Sequence, residues 1–133
     1  MSARLPLIGL LTVLVGALCL SASASAADKG RVLVYFGHTG YVHESIPATV
    51  ETLKKISAKN GYVVDTSKDP KVFSVEKLAP YKAIVLVSNS TDPKKPESEW
   101  FTGTRLAALQ AFLQAGKGVV GLHAAADSHY HTG

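Results

Sequence analysis

Four short runs rich in β-branched and other apolar residues recur along the chain after residue 30. They cover residues 31–36, 62–67, 83–88 and 118–123, and glycine, proline or polar residues bound each of them. Short apolar runs of this length are typical of strands that are covered on both faces of a parallel sheet. The pattern therefore predicts four strands.

Between the first two predicted strands, apolar residues recur at the spacing of a helix. Ser45 is a suitable N-cap, Pro47 falls in the first turn, where a missing N–H costs nothing, and Gly61 is a natural stop. A helix is therefore predicted between them. The residues predicted to face inward are Ile46, Val50, Leu53 and Ile56.

Two further helices are predicted downstream. Ser74 can cap a short helix that Pro80 ends, and a longer helix runs from about Thr104 to the stop at Gly116. The polar, proline-rich segment 89–100 before the longer helix predicts a surface loop. The inward face of the longer helix is predicted as Leu106, Leu109, Phe112 and Leu113.

Strands that alternate with helices indicate βαβ units. Right-handed crossovers then make all four strands parallel, with helices on both faces, which is the doubly wound α/β class. Ligands bind such sheets outside the carboxyl ends of the strands. This rule selects residues 37–43, 88–91 and 123–127 as the place of a site.

Residues 1–26 are predicted to be a secretory signal peptide. Arg4 precedes an apolar stretch, and small residues ending in Ala24-Ser25-Ala26 supply a peptidase site. The apolar stretch is shorter than the roughly 20 residues that span a bilayer, which disfavours an uncleaved anchor. We expect cleavage after Ala26, export to the periplasm or medium, and no membrane association afterwards.

Cleavage would also remove Cys19, the only cysteine, so a thiol nucleophile or a cysteine metal site is excluded in the mature chain. Loss of Arg4 lowers the formal charge from +4 to +3, and no basic run is present. The sequence therefore favours a small-molecule partner over nucleic acid.

The loop 37–40 (GHTG) follows the first strand where phosphate-binding loops occur. It lacks both the G-x-G-x-x-G spacing and the G-K-[ST] ending, so a tight turn explains its glycines. His43, just before the predicted cap, would be kept neutral by the helix N-terminus. It could serve as a metal ligand or as a donor to a substrate oxygen, or be a solvated loop histidine.

The stretch 121–125 (GLHAA) places His123 between small residues at the end of a strand. This pattern is typical of the sharp elbow that presents the reactive group of many α/β enzymes. His123 could be a general base, a general acid or a metal ligand, with Asp127 orienting the ring or sharing the metal. The alternative is a buried histidine that bonds a backbone carbonyl.

His129 and His131 form an H-x-H pair near the end of the chain. An extended backbone would place both rings on one face, where they could chelate a metal. The alternative is a flexible tail that carries two histidines.

Two motifs together resemble a known family. Residues 41–47 (YVHESIP) and residues 120–127 (VGLHAAAD) are similar to the ThuA-like domain, named for trehalose utilisation, and the resemblance extends from residue 31 to 133. It implies the flavodoxin-like fold of class I glutamine amidotransferases. Because the elbow carries His123 instead of cysteine, amidotransferase activity is not implied.

The resemblance implies an exported protein of carbohydrate metabolism that acts on keto derivatives of disaccharides or related glycosides. His123 would be the base or a metal ligand, His43 the polariser or a second ligand, and Asp127 the third member of the site. A divalent ion on these three residues and direct hydrogen bonding to sugar hydroxyls both remain open. The residues expected to contact substrate are His38, Thr39, Ser45, Ser88 and Asn89.

Two other functions fit the same residues. A non-catalytic sugar-binding module would use the same crevice, and an amidotransferase-like scaffold would mediate only protein contacts. Members of the family continue beyond the fourth strand, whereas a further parallel strand here would need roughly a dozen more residues. We therefore expect an N-terminal portion of a larger domain, with a sheet that is incomplete at the C-terminus.

Overall fold

The computed structural model describes residues 29–131, and the predicted signal peptide lies outside them. The order of strands and helices is the predicted one, and most bounds differ by one or two residues. Two single 3₁₀ turns, Pro70–Val72 and Pro96–Ser98, add to it. The elements are β1 (Arg31–Tyr35), α1 (Ile46–Lys59), β2 (Val63–Ser67), α2 (Val75–Leu78), β3 (Tyr81–Val87), α3 (Gly103–Gln114) and β4 (Gly118–Leu122).

The four strands form one parallel sheet in the order β2-β1-β3-β4, which confirms the predicted α/β class. From β1 the chain moves to one side to form β2 and then crosses to the other side for β3. The reversal creates a switch point at the carboxyl ends of β1 and β3, where open α/β sheets bind ligands. The loops after β1, β3 and β4 meet at this edge.

Helices cover both faces of the sheet, as predicted. Because side chains alternate along a strand, Leu33 and Ile84 pack into one core with α3, while Val34 packs into a second core with α1. Each of these three strand residues is at most 1% exposed. Two apolar layers thus hold the sheet rigid beneath the loops.

The cap of α1 and the inward faces of α1 and α3 differ from the prediction, whereas the cap of α2 agrees with it. Ser45 stands at the N-cap of α1, but its own backbone is already helical (φ −72°, ψ −16°) and its side chain makes no capping bond. Ser74 is extended, and its Oγ accepts the Lys77 N–H at 3.3 Å, as a cap should. Ile56 and Leu113 are exposed, because the apolar stripes are wider than the helix faces that contact the sheet.

β4 lies at one edge of the sheet, and Val120 on it is exposed. The expectation of a larger domain stays a prediction. Within residues 29–131, no helix is both long and apolar enough to cross a bilayer.

Candidate functional site

Backbone hydrogen bonds join the loop after β1 to the loop after β3. The N–H groups of Thr39 and Gly40 both donate to the Ser90 carbonyl, at 3.0 and 2.9 Å, and Asn89 Nδ2 donates to the Gly37 carbonyl at 2.8 Å. A Cβ atom on Gly40 would lie 2.5 Å from the Thr91 backbone, so glycine is required for this approach. The two loops therefore act as one unit.

The loop after β4 is fastened to the same unit. The Thr91 N–H donates to the Asp127 carbonyl at 2.9 Å. The Glu99 carboxylate accepts the N–H groups of His129 and Tyr130, both at 2.8 Å. These bonds hold His129 in a left-handed conformation (φ +66°), which is uncommon for residues other than glycine.

His43 and His123 face one another across this edge, as predicted. His43 Nδ1 and His123 Nε2 are 3.2 Å apart, and the ring centroids are separated by 4.4 Å. On its other side, His43 Nε2 lies 3.4 Å from the Ser90 hydroxyl oxygen. Both nitrogens of His43 are thus engaged with protein groups.

His123 occupies the predicted elbow. Its φ is +55°, a left-handed conformation that costs on the order of 1–3 kcal/mol and clusters at functional sites. A Cβ atom on Gly121 would lie 3.3 Å from the Ala125 Cβ, so the turn does need small neighbours. The His123 side chain is exposed and bonded to an imidazole, which excludes the alternative of a buried histidine on a carbonyl.

Asp127 reaches the histidines indirectly. Hydrogen bonds from the hydroxyl groups of Tyr130 and then Ser90 lower the pKa of its carboxyl group, and the nearby His43 lowers it further. The same bond to Asp127 raises the pKa of Tyr130. The prediction that Asp127 itself orients the His123 ring is therefore corrected, because Ser90 and His43 stand between them.

The ionised carboxylate sets the direction of every bond in this chain of groups. Asp127 can only accept, so we infer that the Ser90 O–H donates to it and that the Ser90 oxygen accepts Nε2–H from His43. His43 Nδ1 then carries a lone pair and accepts Nε2–H from His123. We infer that His123 Nδ1 carries the remaining lone pair, on an exposed ring at the mouth of the site.

Replacement of Tyr130 by phenylalanine tests this arrangement. We expect the pKa of Asp127 to rise toward its ordinary value, since the strongest bond that lowers it is removed. A lowered native pKa stabilises the fold above the unfolded pKa and loses that effect as the pH falls, so Tyr130→Phe should also unfold at a higher pH on acidification. Carboxyl ¹³C NMR titration measures the shift, with Tyr62→Phe as the control; an unmoved Asp127 would contradict the assignment.

The predicted metal set does not form. No group of three or more His, Cys, Asp or Glu side chains within residues 29–131 is placed to hold an ion. His43 and His123 direct nitrogens at one another, and Asp127 binds hydroxyl groups instead. His129 and His131 also separate: the His129 ring packs on Phe101, and His131 Nε2 lies 2.9 Å from the Pro93 carbonyl.

The residues predicted to contact substrate lie in different places. Ser88 and Asn89 are at most 1% exposed, so a ligand cannot reach them, and Asn89 serves to hold the loop after β1. Thr39 lines an open cleft of about 540 Å³ together with Tyr41, whose ring contacts His43. His38 lines a separate cavity of about 300 Å³ together with His43, and Ser45 lies in a third cavity along α1.

Four residues at this edge of the sheet were not predicted from the sequence to belong to the site. Ser90 belonged to a selected stretch but carried no motif, whereas Glu99 and Tyr130 had no pattern to mark them. Tyr41 lies within the first motif, which indicated no role for it, yet its ring packs edge-on against His43, with centroids 4.8 Å apart.

Comparisons with known proteins agree with this architecture. The family model ThuA, described as trehalose utilisation, matches residues 31–133. The crystal structure of a ThuA-like protein from Bacteroides uniformis superposes with a TM-score of 0.57 and 25% identity, over 80% of this chain and 40% of that one. The chain thus spans well under half the length of that protein. No curated protein matches it.

Proposed function

Because this chain belongs to the ThuA family, we propose that it acts in carbohydrate metabolism on keto derivatives of disaccharides or related glycosides by acid/base chemistry. The family model that matches the chain is described as trehalose utilisation, which supports a role in carbohydrate metabolism. The observation that carries the chemical part is the contact of 3.2 Å between the His43 and His123 rings at the switch point of the sheet. A pair of imidazoles at that place suits proton transfer.

His123 is the proposed base. A carbonyl group acidifies the neighbouring C–H of a keto sugar, and His123 Nδ1 would remove this proton while the electron pair moves onto the carbonyl oxygen as an enolate. Return of the proton to the opposite face of the same carbon gives epimerisation. Its return to the former carbonyl carbon, while the neighbouring hydroxyl group gives up its proton and becomes the new carbonyl, gives isomerisation. Departure of a β-oxygen, which the His123 imidazolium protonates as it leaves, gives elimination. The imidazolium formed on His123 is stabilised through His43 and Ser90 by the Asp127 carboxylate.

His43 has a different task from the expected one. Because both of its nitrogens already bond protein groups, it has no N–H left to polarise a substrate carbonyl. Instead it accepts from His123 and so fixes the tautomer that leaves Nδ1 of His123 basic. The aspartate of a Ser-His-Asp triad plays this role for its histidine.

Proton exchange with solvent tests the proposal directly. The full chain is incubated with a keto derivative of trehalose in D₂O, and ¹H NMR follows the signal of the C–H next to the carbonyl. We expect protein-dependent loss of that signal. Binding of the sugar without exchange would indicate the non-catalytic module, and the absence of both binding and exchange would indicate a scaffold.

We also propose that the protein is exported. The support is the sequence of residues 1–26, with its apolar stretch and its Ala24-Ser25-Ala26 site. Protein recovered from the periplasm or medium should have the mass of a chain that starts at Ala27. A full-length mass in the membrane fraction would contradict this proposal.

A further inference from the structure

Beside the histidine pair lies an open cleft that the loops after β1, β3 and β4 enclose. Its volume, about 540 Å³, falls in the range of small-molecule sites, roughly 300–1,000 Å³. Two tyrosines, Tyr41 and Tyr130, line it together with polar side chains. The polar side chains of its lining include those of Thr39, Asp92, Lys95 and Asp127.

We propose that the cleft between Tyr41 and Tyr130 is a subsite for a neutral sugar ring, the one adjoining the ring that reacts at His123. This inference rests on the proposed function. It says where the second, unreactive ring of a disaccharide substrate binds. The two tyrosine side chains are 69% and 48% exposed, and two large aromatic rings left open on one cleft indicate a binding surface. A pyranose presents a face of C–H groups that packs on such a ring.

The polar groups of the cleft suit sugar hydroxyls. The Thr39 hydroxyl already donates to the Ser98 carbonyl, and the Tyr130 hydroxyl already donates to Asp127. Their oxygens therefore offer lone pairs, as do the carboxylates of Asp92 and Asp127. A ligand for this cleft must be rich in O–H donors.

The charges of the cleft favour a neutral ligand. Its single ammonium group, on Lys95, lies 3.4 Å from the Asp92 carboxylate, and a second carboxylate, on Asp127, leaves the cleft net negative. A phosphate or carboxylate ligand would be repelled. A cation would find both carboxylates already bonded, Asp92 to Lys95 and Asp127 to Tyr130.

The wall that carries Tyr130 is fixed before any ligand arrives. Glu99 accepts the backbone N–H groups of His129 and Tyr130 and, at 3.3 Å, the hydroxyl of Thr91. A wall that is already ordered loses little entropy on binding, which raises the affinity for a small ligand. Glu99 is therefore a positioning residue of the subsite.

The subsite is linked to the histidine pair through Tyr41. The Tyr41 ring stands edge-on to His43 at 4.8 Å, and His43 lies 4.4 Å from His123, both measured between ring centroids. A disaccharide with one ring on Tyr41 would extend its other ring toward His123. The arrangement predicts that a single unoxidised sugar ring binds without any chemistry.

Titration of the full chain with methyl α-D-glucopyranoside tests the subsite. Shifts in ¹H–¹⁵N NMR spectra give the affinity and locate the ring, which should perturb residues 39–41 and 127–130. Tyr41→Ala and Tyr130→Ala should each weaken binding by roughly five- to tenfold, the loss expected for one aromatic packing contact. Tyr41→Phe keeps the ring and should bind within about twofold of the unaltered protein.

Two further variants separate stacking from folding. Tyr62→Ala, on a tyrosine that directly precedes β2, is the matched control and should leave binding unchanged. Glu99→Gln places an NH₂ group against backbone N–H donors, so it should weaken binding and speed amide exchange at Tyr130. Trp100 fluorescence checks that each variant is folded.

Any of three results would overturn the subsite. The first is that the unaltered protein does not bind methyl glucoside at all, and the second is that both tyrosine-to-alanine variants bind it as tightly as the unaltered protein does. The third result is that the protein binds choline more tightly than the glucoside. The test stands apart from that of the proposed function, since His123→Asn should keep the affinity for the glucoside. Glucoside binding without proton exchange on a keto sugar would refute the chemistry and leave the subsite intact. Exchange with an unchanged KM in Tyr41→Ala would refute the subsite alone.

Discussion

Replacement of His123 by asparagine should lower proton exchange on a keto disaccharide by roughly 10²- to 10⁴-fold, the range expected for loss of a general base. Asparagine lacks a basic nitrogen, so the proton next to the carbonyl has no acceptor. It is also among the residues that best tolerate positive φ, and His123 has a φ of +55°. The elbow should therefore keep its shape, and the variant reports on chemistry alone.

His129→Asn is the matched control for this variant. His129 lies on the same loop, also has a positive φ (+66°), and its ring packs against Phe101. Exchange rates from ¹H NMR in D₂O should stay close to those of the unaltered protein in this control. Equal rates for His123→Asn and the unaltered protein would remove His123 from the reaction.

The second large effect concerns stability. Ile84 lies on the central strand β3, is 0% exposed and packs in the cluster that contains Trp100. Ile84→Ala should lower the free energy of unfolding by about 2–5 kcal/mol, from lost burial and the cavity left behind. Domains of this size are stable by roughly 5–15 kcal/mol, so much of the stability would be lost.

Urea unfolding followed by fluorescence measures this effect, since Trp100 is the single tryptophan of the chain. Ile56→Ala is the control, because it removes the same atoms from a side chain that is 55% exposed on α1. The control should change stability by no more than about 0.5 kcal/mol. Equal midpoints for the two variants would show that the apolar layer around Ile84 does not support the sheet.

The sequence by itself was sufficient for the architecture. Periodicity and turn residues predicted each strand and helix, because a parallel strand covered on both faces must be apolar and short. Because parallel strands end at one edge of a sheet, the sequence also predicted that His43 and His123 lie together. The small residues around His123 predicted the elbow, because only a crowded turn needs them.

Burial was only partly predictable. Ser88 and Asn89 were predicted to contact substrate, because polar residues after a parallel strand often face a ligand, but both are buried. Ile56 and Leu113 have the spacing of inward residues, yet the helices contact the sheet over a narrower face than the pattern spans. Spacing specifies which residues share a face and leaves open how much of that face is covered.

The partners of the site residues were decided by the tertiary structure alone. Asp127 was expected beside His123 or a metal, but it reaches His43 through Ser90, and Glu99 holds the backbone of the loop that carries it. These links join residues from three loops, and their geometry depends on how backbone groups such as Thr39 N–H and Ser90 C=O pair between loops. Local sequence encodes the conformation of each loop, whereas hydrogen bonds between loops form only once the packed sheet has brought them together.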